Sequence, residues 1–272
     1  MDTRYNKIIM LGTGSAGVTR CYNTCFFLKT DNTLLLVDAG GGNGVISQIE
    51  KVGVKLTDIH HLFLTHAHTD HILGAVWVVR MIMHRVLSGE YKGNLYVYGN
   101  DKVVNTLRQI CLMTLHKNYN ALFGNRIMLC EKLSGDKFEA GDIHMKCFDV
   151  LSEKEKQFGF RAVMPGGKVL VCMGDEPCNR LNYPIARGAD WLMCESFCLY
   201  KDREVFKPYE KFHSTAADAG KVAAEFGVRN LLLYHTEDKT LATRKVEYAK
   251  EAAQNFNGNI YVPDDLETIE II

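Results

Sequence analysis

The sequence contains no Cys-x-x-Cys pair, only five prolines, and no excess of charge of either sign. Each absence excludes something. Without Cys-x-x-Cys there is no zinc ribbon. Thirty-two basic residues balance 32 acidic ones over 272 positions, so no global electrostatic footprint marks a nucleic-acid binder or a protein drawn to anionic lipid. No apolar run approaches the roughly 20 residues that span a bilayer. The opening segment carries Asp2, Arg4 and Lys7 and lacks a secretory-signal pattern. A cytoplasmic protein with no membrane partner is expected. There is no internal repeat, low-complexity tract or Pro/Ser linker, so a single domain over 1–272 is the expected organisation.

Cysteines are present, nine of them, at positions 21, 25, 111, 130, 147, 172, 178, 194 and 198. The number is odd and the spacing irregular. Several lie in apolar runs, and buried reduced thiols are expected.

What is abundant is short apolar β-type segments: KIIML, TCFFLKT, TLLLVDA, IHHLFLTH, NLYVYG, RIMLCEKL, IHMKCFDV, FGFRAVM, KVLVCMGD, DWLMCES and NLLLYHT. Helical periodicity falls over Ile72–Leu87, Lys102–His116, Ala216–Phe226 and Thr240–Phe256. Strands in groups with helices added singly predict an α/β protein of two sheets with helices outside.

IIMLGTGSAG places Gly12, Gly14 and Gly17 on G-x-G-x-x-G, with Asp38 further on, the outline of a dinucleotide turn. Such a turn needs a helix immediately after the glycines to receive the pyrophosphate. Here SAGVTRCYNT has no helical period and TCFFLKT reads as a strand. The glycines are expected to make a tight loop, with no dinucleotide.

The chemistry concentrates in LFLTHAHTDHILGA. His66, His68, Asp70 and His71 follow a buried strand and precede a helix. An extended backbone points His66 and His68 to one side, and Asp70 and His71 lie in the turn into the helix. Imidazoles with a carboxylate suit a borderline divalent metal. In HSTAADAG, Thr215 and Asp218 form a capping box before a helix, whose N-terminus favours anions. His213 precedes it.

HAHTDH resembles the H-x-H-x-D-H signature of the metallo-β-lactamase fold. LGTGSAG, LLLVDAG, VCMGDEP and FHSTAADAGKVAAEFGVRNLLLYHT resemble its ribonuclease Z-like branch. The resemblance implies an αββα sandwich of two mixed sheets flanked by helices. It implies one or two zinc ions, with manganese or iron as substitutes. One site would use His66 and His68, the other Asp70, His71 and His235, with Asp175 shared. It further implies a hydrolase in which a metal-bound hydroxide attacks phosphorus. Asp70 would accept a proton, His213 would assist at the phosphate, and Glu195 would orient His213. Asp38 would support the site from behind. A small phosphodiester or an RNA-like substrate is the implied partner, and a homodimer is admitted. Hydrolysis of an ester, thioester or lactam at the same site is the alternative.

The sequence departs from the branch in two places. Leu151 stands where the family places a further histidine, which predicts a weakened first site, a single-metal enzyme, or a metal binder with little turnover. Ser152, Glu153 or Asp149 could compensate from nearby, whereas His144, seven residues earlier within a strand, would need a large shift in register. Between Ser196 and His213 only FCLYKDREVFKPYEKF intervenes, so no long basic arm for transfer RNA is built there.

Overall fold

A strand that is apolar on both faces needs cover on both sides. The computed structural model describes residues 5–272 and supplies that cover in four layers. Strands β1 (Lys7–Gly12), β2 (Cys25–Lys29), β3 (Leu34–Val37), β4 (His61–Phe63), β5 (Leu95–Gly99) and β6 (Ile127–Glu131) belong to the first sheet. The second holds β7 (Lys137–Ala140), β8 (Ile143–Asp149), β9 (Phe158–Val163), β10 (Val169–Cys172), β11 (Trp191–Glu195), β12 (Asn230–Tyr234) and β13 (Asn259–Tyr261). The last strand, β14 (Thr268–Glu270), returns to the edge of the first sheet beside β1. Helices α1 (Gly44–Lys51), α2 (Thr69–Leu87), α3 (Asp101–Thr114) and the single-turn α4 (Lys117–Asn120) accompany the first sheet. The second has the single turns α5 (Tyr183–Ala186) and α6 (Arg203–Phe206), then α7 (Ala216–Phe226) and α8 (Arg244–Ala252).

Alternation along the strands sorts side chains between layers. In β1, Ile8 and Met10 enter the core between the sheets, while Ile9 and Leu11 face the helices. In β12, Leu232 and Tyr234 point inward and Leu231 and Leu233 toward α7 and α8. The expected αββα sandwich is therefore the observed one.

Two parallel blocks set the position of the site. In the first sheet β3, β4, β5 and β6 run parallel. In the second, β10, β11, β12 and β13 do. Parallel strands end together, and the loops after β3, β4, β10, β11 and β12 carry the candidate residues. That rim is where open α/β sheets bind ligands.

Several boundaries differ from expectation. α2 begins at Thr69, three residues before its apolar period, because His68 is extended and its carbonyl accepts from both His71 and Ile72. Asp70 and His71 thus lie in the first turn of the helix. The helix expected from Thr240 starts only at Arg244, since the Glu237 carboxylate ties Lys239 and Thr240 into a turn. β4 stops at Phe63, so His66 and His68 lie in the loop beyond it. α1, β7, β13 and β14 had no sequence signal.

The glycine loop has no helix behind it. A Cβ at Gly12 would stand 2.1 Å from the Asn23 carbonyl. Ser15 N–H donates to the carbonyl of Thr236, the residue after His235, and Thr236 N–H donates to Thr13. The loop is a clamp on the end of β12.

Candidate active site

The elements named above bring dispersed residues to one point. His66 and His68 come from the loop after β4, Asp70 and His71 from the first turn of α2, Asp175 from the loop after β10, and His235 from the end of β12. Asp175 Oδ2 lies 3.5 Å from His66 Nε2, 3.7 Å from His71 Nε2 and 3.6 Å from His235 Nε2. Asp70 Oδ2 lies 3.3 Å from His71 Nε2 and 3.6 Å from His235 Nε2. His66 Nε2 faces His68 Nδ1 at 2.9 Å. Apart from the half-buried His68, all of these residues are buried.

Supporting oxygens orient the His66 and His71 rings. Asp38 Oδ2 accepts from His71 Nδ1 at 2.8 Å, and the same carboxylate takes the backbone and hydroxyl donors of Thr65. Thr65 Oγ1, having donated to Asp38, accepts from His66 Nδ1 at 2.9 Å. Both rings therefore turn an Nε2 lone pair toward the carboxylates, an arrangement typical of histidine metal ligands. Asp38 sits at φ 54°, where the sharp turn after β3 aims its carboxylate beneath α2. Gly74 allows the approach: its N–H bonds the Gly40 carbonyl, and a Cβ would come within 1.8 Å of the Ala39 oxygen.

Electrostatics favour a cation here. Burial pushes the Asp70 and Asp175 carboxyls up, but the adjacent imidazoles outweigh it and both are held well below the usual range. Burial drives His66 well down, against the pull of Asp175. At His71 the opposing carboxylates of Asp70 and Asp38 outweigh burial and raise it. Ionised carboxylates and a neutral His66 are ligand forms, and His71 Nε2 lies where positive charge is demanded. His71 Nε2 and both ring nitrogens of His235 are buried without hydrogen-bond partners among the described residues. Ligand-type atoms of His66, His71 and Asp175 lie within 4.8 Å of one another, as do those of Asp70, His71 and His235. The donor set fits a divalent metal. His71 reaches both groups, whereas the expected partition gave the first group His68.

A second pair adjoins the cluster. Glu195, at the end of β11, is fully buried, and its Oε2 lies 3.6 Å from His213 Nδ1. Glu195 Oε1 accepts from Ser214 N–H at 2.6 Å. The His213 and His235 rings are 5.2 Å apart. The expected capping box is present, Thr215 accepting from Asp218 N–H and Asp218 accepting from Thr215 N–H.

Residues 6–253 match the family described as anti-Pycsar protein Apyc1. The chain belongs to that family. Within the wider fold, it is 26% identical to ribonuclease Z of Thermobifida fusca over 312 residues, covering 100% of this chain and 96% of the relative. The metallo-β-lactamase fold protein YhfI of Bacillus subtilis superposes with a TM-score of 0.79 at 18% identity, covering 98% of this chain and 99% of that one. Human tRNase Z, short form, superposes at 0.73 with 19% identity and the same coverage. This Apyc1-family chain therefore has the metallo-β-lactamase fold its motifs resemble.

Among the described residues, no histidine takes the place of the one missing at Leu151. Leu151 is 42% exposed and at φ 64°. His144 is exposed and 3.2 Å from Glu139. Ser152 donates to Glu176, Asp149 accepts from Leu151 N–H, and Glu153 is exposed. The residue that does reach the cluster is Gln157, which the motif reading passed over. It is buried, its Nε2 bonds Asp175 Oδ1 and lies 3.0 Å from His66 Nδ1, and its Oε1 has no partner among the described residues. No sequence pattern marks an amide for such a role. Its only signal was its place just before FGFRAV.

Proposed function

We propose that the protein is a metal-dependent phosphodiesterase acting on a small nucleotide phosphodiester. The observation that carries this reading is the convergence of five imidazole and carboxylate groups on Asp175 and its neighbours, beside the His213–Glu195 pair. His66, His68, Asp175 and His71, with Asp70 and His235, would hold one or two divalent ions, zinc being the borderline ion this nitrogen and carboxylate set suits. A divalent ion there supplies a Lewis acid that acidifies water and draws charge from phosphoryl oxygens.

The remaining steps belong to side chains. Asp70 accepts the proton released by the attacking water. Glu195 takes the Nδ1 side of His213, which leaves Nε2 to hydrogen-bond a phosphate oxygen and to protonate the departing one. At 3.6 Å that Nδ1 contact is slightly long, as catalytic hydrogen bonds often are before substrate binds. The N-terminus of α7 adds a partial positive charge beside His213.

Relatives named ribonuclease Z make RNA the neighbouring substrate class. The smaller substrate is favoured here by the zero net charge of the chain and by residues 197–212, which fold into single turns and extend no arm.

The test is a substrate survey on metal-reconstituted protein: adenosine 3′,5′-cyclic phosphate, bis(p-nitrophenyl) phosphate, a precursor transfer RNA, a thioester and a lactam. Turnover of the two small phosphodiesters, lost in Asp175→Asn and reduced about 100-fold or more in His213→Ala, is expected. Hydrolysis confined to the thioester or lactam would overturn the reading.

A further inference from the structure

Among the candidate ligands, only His235 has a left-handed backbone, at φ 59°. A residue with a Cβ keeps that conformation only where its surroundings hold it there. His235 follows directly on β12, whose parallel pairing ends at Tyr234. Just beyond it, Thr236 N–H donates to the Thr13 carbonyl, and the Thr236 carbonyl accepts from Ser15 N–H.

A buried cation crosses the same two segments. Arg244 opens α8 and is 1% exposed. Its Nη1 donates to Thr13 Oγ1 at 3.0 Å and to Thr236 Oγ1 at 2.9 Å. Its Nη2 donates to the Pro263 carbonyl at 2.9 Å and to Asp264 Oδ1 at 3.0 Å. Each threonine hydroxyl donates onward, Thr13 to Asp265 Oδ1 at 2.8 Å and Thr236 to the Glu237 carbonyl at 3.0 Å. Both hydroxyls are thus acceptors toward the guanidinium. Taking such a charge out of water is costly unless its hydrogen bonds repay it. A planar fork of donors can join all these segments from one side chain, which a lysine cannot. The steps proposed above give Arg244 no part.

We propose that Arg244 is a positioning residue for His235: its guanidinium ties Thr13 to Thr236 and so holds the left-handed turn that aims Nε2 of His235 at Asp70 and Asp175. The inference rests on the reading of His235 as a metal ligand and goes beyond it, by naming what sets that ligand's geometry. It also gives the glycine loop a purpose. Thr13 stands between Gly12 and Gly14. A Cβ at Gly14 would lie 2.5 Å from a Val18 methyl and 2.6 Å from Cys21 Sγ, so the close fold that brings Thr13 to Arg244 needs glycine there. His66 takes its support from Thr65, in the loop after β4, and is independent of the tie.

The test is a double-mutant cycle on zinc affinity, read by competition with a chelating dye, in the parent, Arg244→Met, His235→Ala and the double variant. Arg244→Met is expected to weaken zinc about tenfold in the parent. It should cost nothing further beside His235→Ala, where the ligand it positions is gone. An equal loss in both backgrounds marks a general structural role and overturns the proposal, as does no loss in the parent. If Arg244→Met does not fold, Thr13→Val and Thr236→Val carry the test. Each removes one acceptor, and a several-fold weakening is expected; parent affinity in both overturns the tie. Amide exchange is measured in parallel on metal-free protein. A parent that binds no zinc defeats the metal reading, and the exchange then decides the tie. Faster exchange in Arg244→Met confined to Ser15 and Thr236 supports it. Unchanged exchange there, or faster exchange spread through β12, overturns it.

Discussion

Asp38 and His71 meet at 2.8 Å, carboxylate oxygen to Nδ1, although 33 residues separate them in the chain. The contact exists because the loop after β3 passes against the start of α2, with Ala39 and Gly40 packed on Gly74. It fixes the His71 ring so that Nε2 faces Asp70 and Asp175. Removing such a support behind a metal ligand typically costs about 10–100-fold in metal affinity. Asp38→Asn is expected to weaken zinc binding by that order, read by competition with a chelating dye. Unaltered affinity would leave Asp38 only a turn residue.

Gln157 holds the unshared oxygen of Asp175. Truncation to Ala leaves a buried carboxylate oxygen without its donor. Gln157→Ala should destabilise the metal-free protein by roughly 1–3 kcal/mol in urea denaturation. It should also weaken metal binding. Gln157→Glu should do worse, by placing a like charge against Asp175. Wild-type stability and metal content in both variants would show that the amide is incidental.

Leu151 pays no packing role for its strained backbone. A leucine at φ 64° costs about 1–2 kcal/mol against glycine's free access to that region. Leu151→Gly should therefore stabilise the protein by up to about 1 kcal/mol after the entropy cost of glycine. Leu151→His should leave metal stoichiometry unchanged, because this position is 42% exposed and lies outside the groups of ligand-type atoms around His71. An extra tightly held ion in Leu151→His, found by elemental analysis, would mean that this loop can deliver a ligand.

His61 gives a pH signature away from the site. Burial, then neighbouring His60, hold it down at about 4. Its ring stacks on Tyr96 and Tyr98, and Nδ1 lies 3.1 Å from the Tyr98 hydroxyl. An unfolded-chain histidine titrates near 6.5. Between those values the unfolded chain takes up a proton that the folded one refuses. Stability is thus complete above about pH 6.5, falls as pH drops toward 4, and then levels. Partial exposure damps the effect. His61→Gln should lose less stability than the parent between pH 7 and 4 in urea titrations. Parallel curves would contradict the assignment.

The cluster of candidate ligands was legible because His66, His68, Asp70 and His71 lie within six consecutive residues. Asp175 and His235 became legible through segments resembling a known family. Most strands were visible as apolar runs, since both faces of each sheet are covered. β7 was not, because Lys137 and Glu139 face solvent on an edge, and β13 and β14 are only three residues long. α2 was entered late because its first turn buries the polar Asp70 and His71, which break the apolar period. Gln157 and the tie from Arg244 to Thr13 and Thr236 were invisible for a different reason. Their meaning lies in tertiary neighbours, and no local spacing encodes them.

The most direct test of the account is elemental analysis of protein purified without chelator, beside Asp175→Ala and His235→Ala. At least one divalent ion per chain in the parent, with most of it lost in each variant, is the predicted result. A parent that binds no metal from zinc or manganese solution, or variants that retain the full complement, would contradict the claim that these residues share a cation.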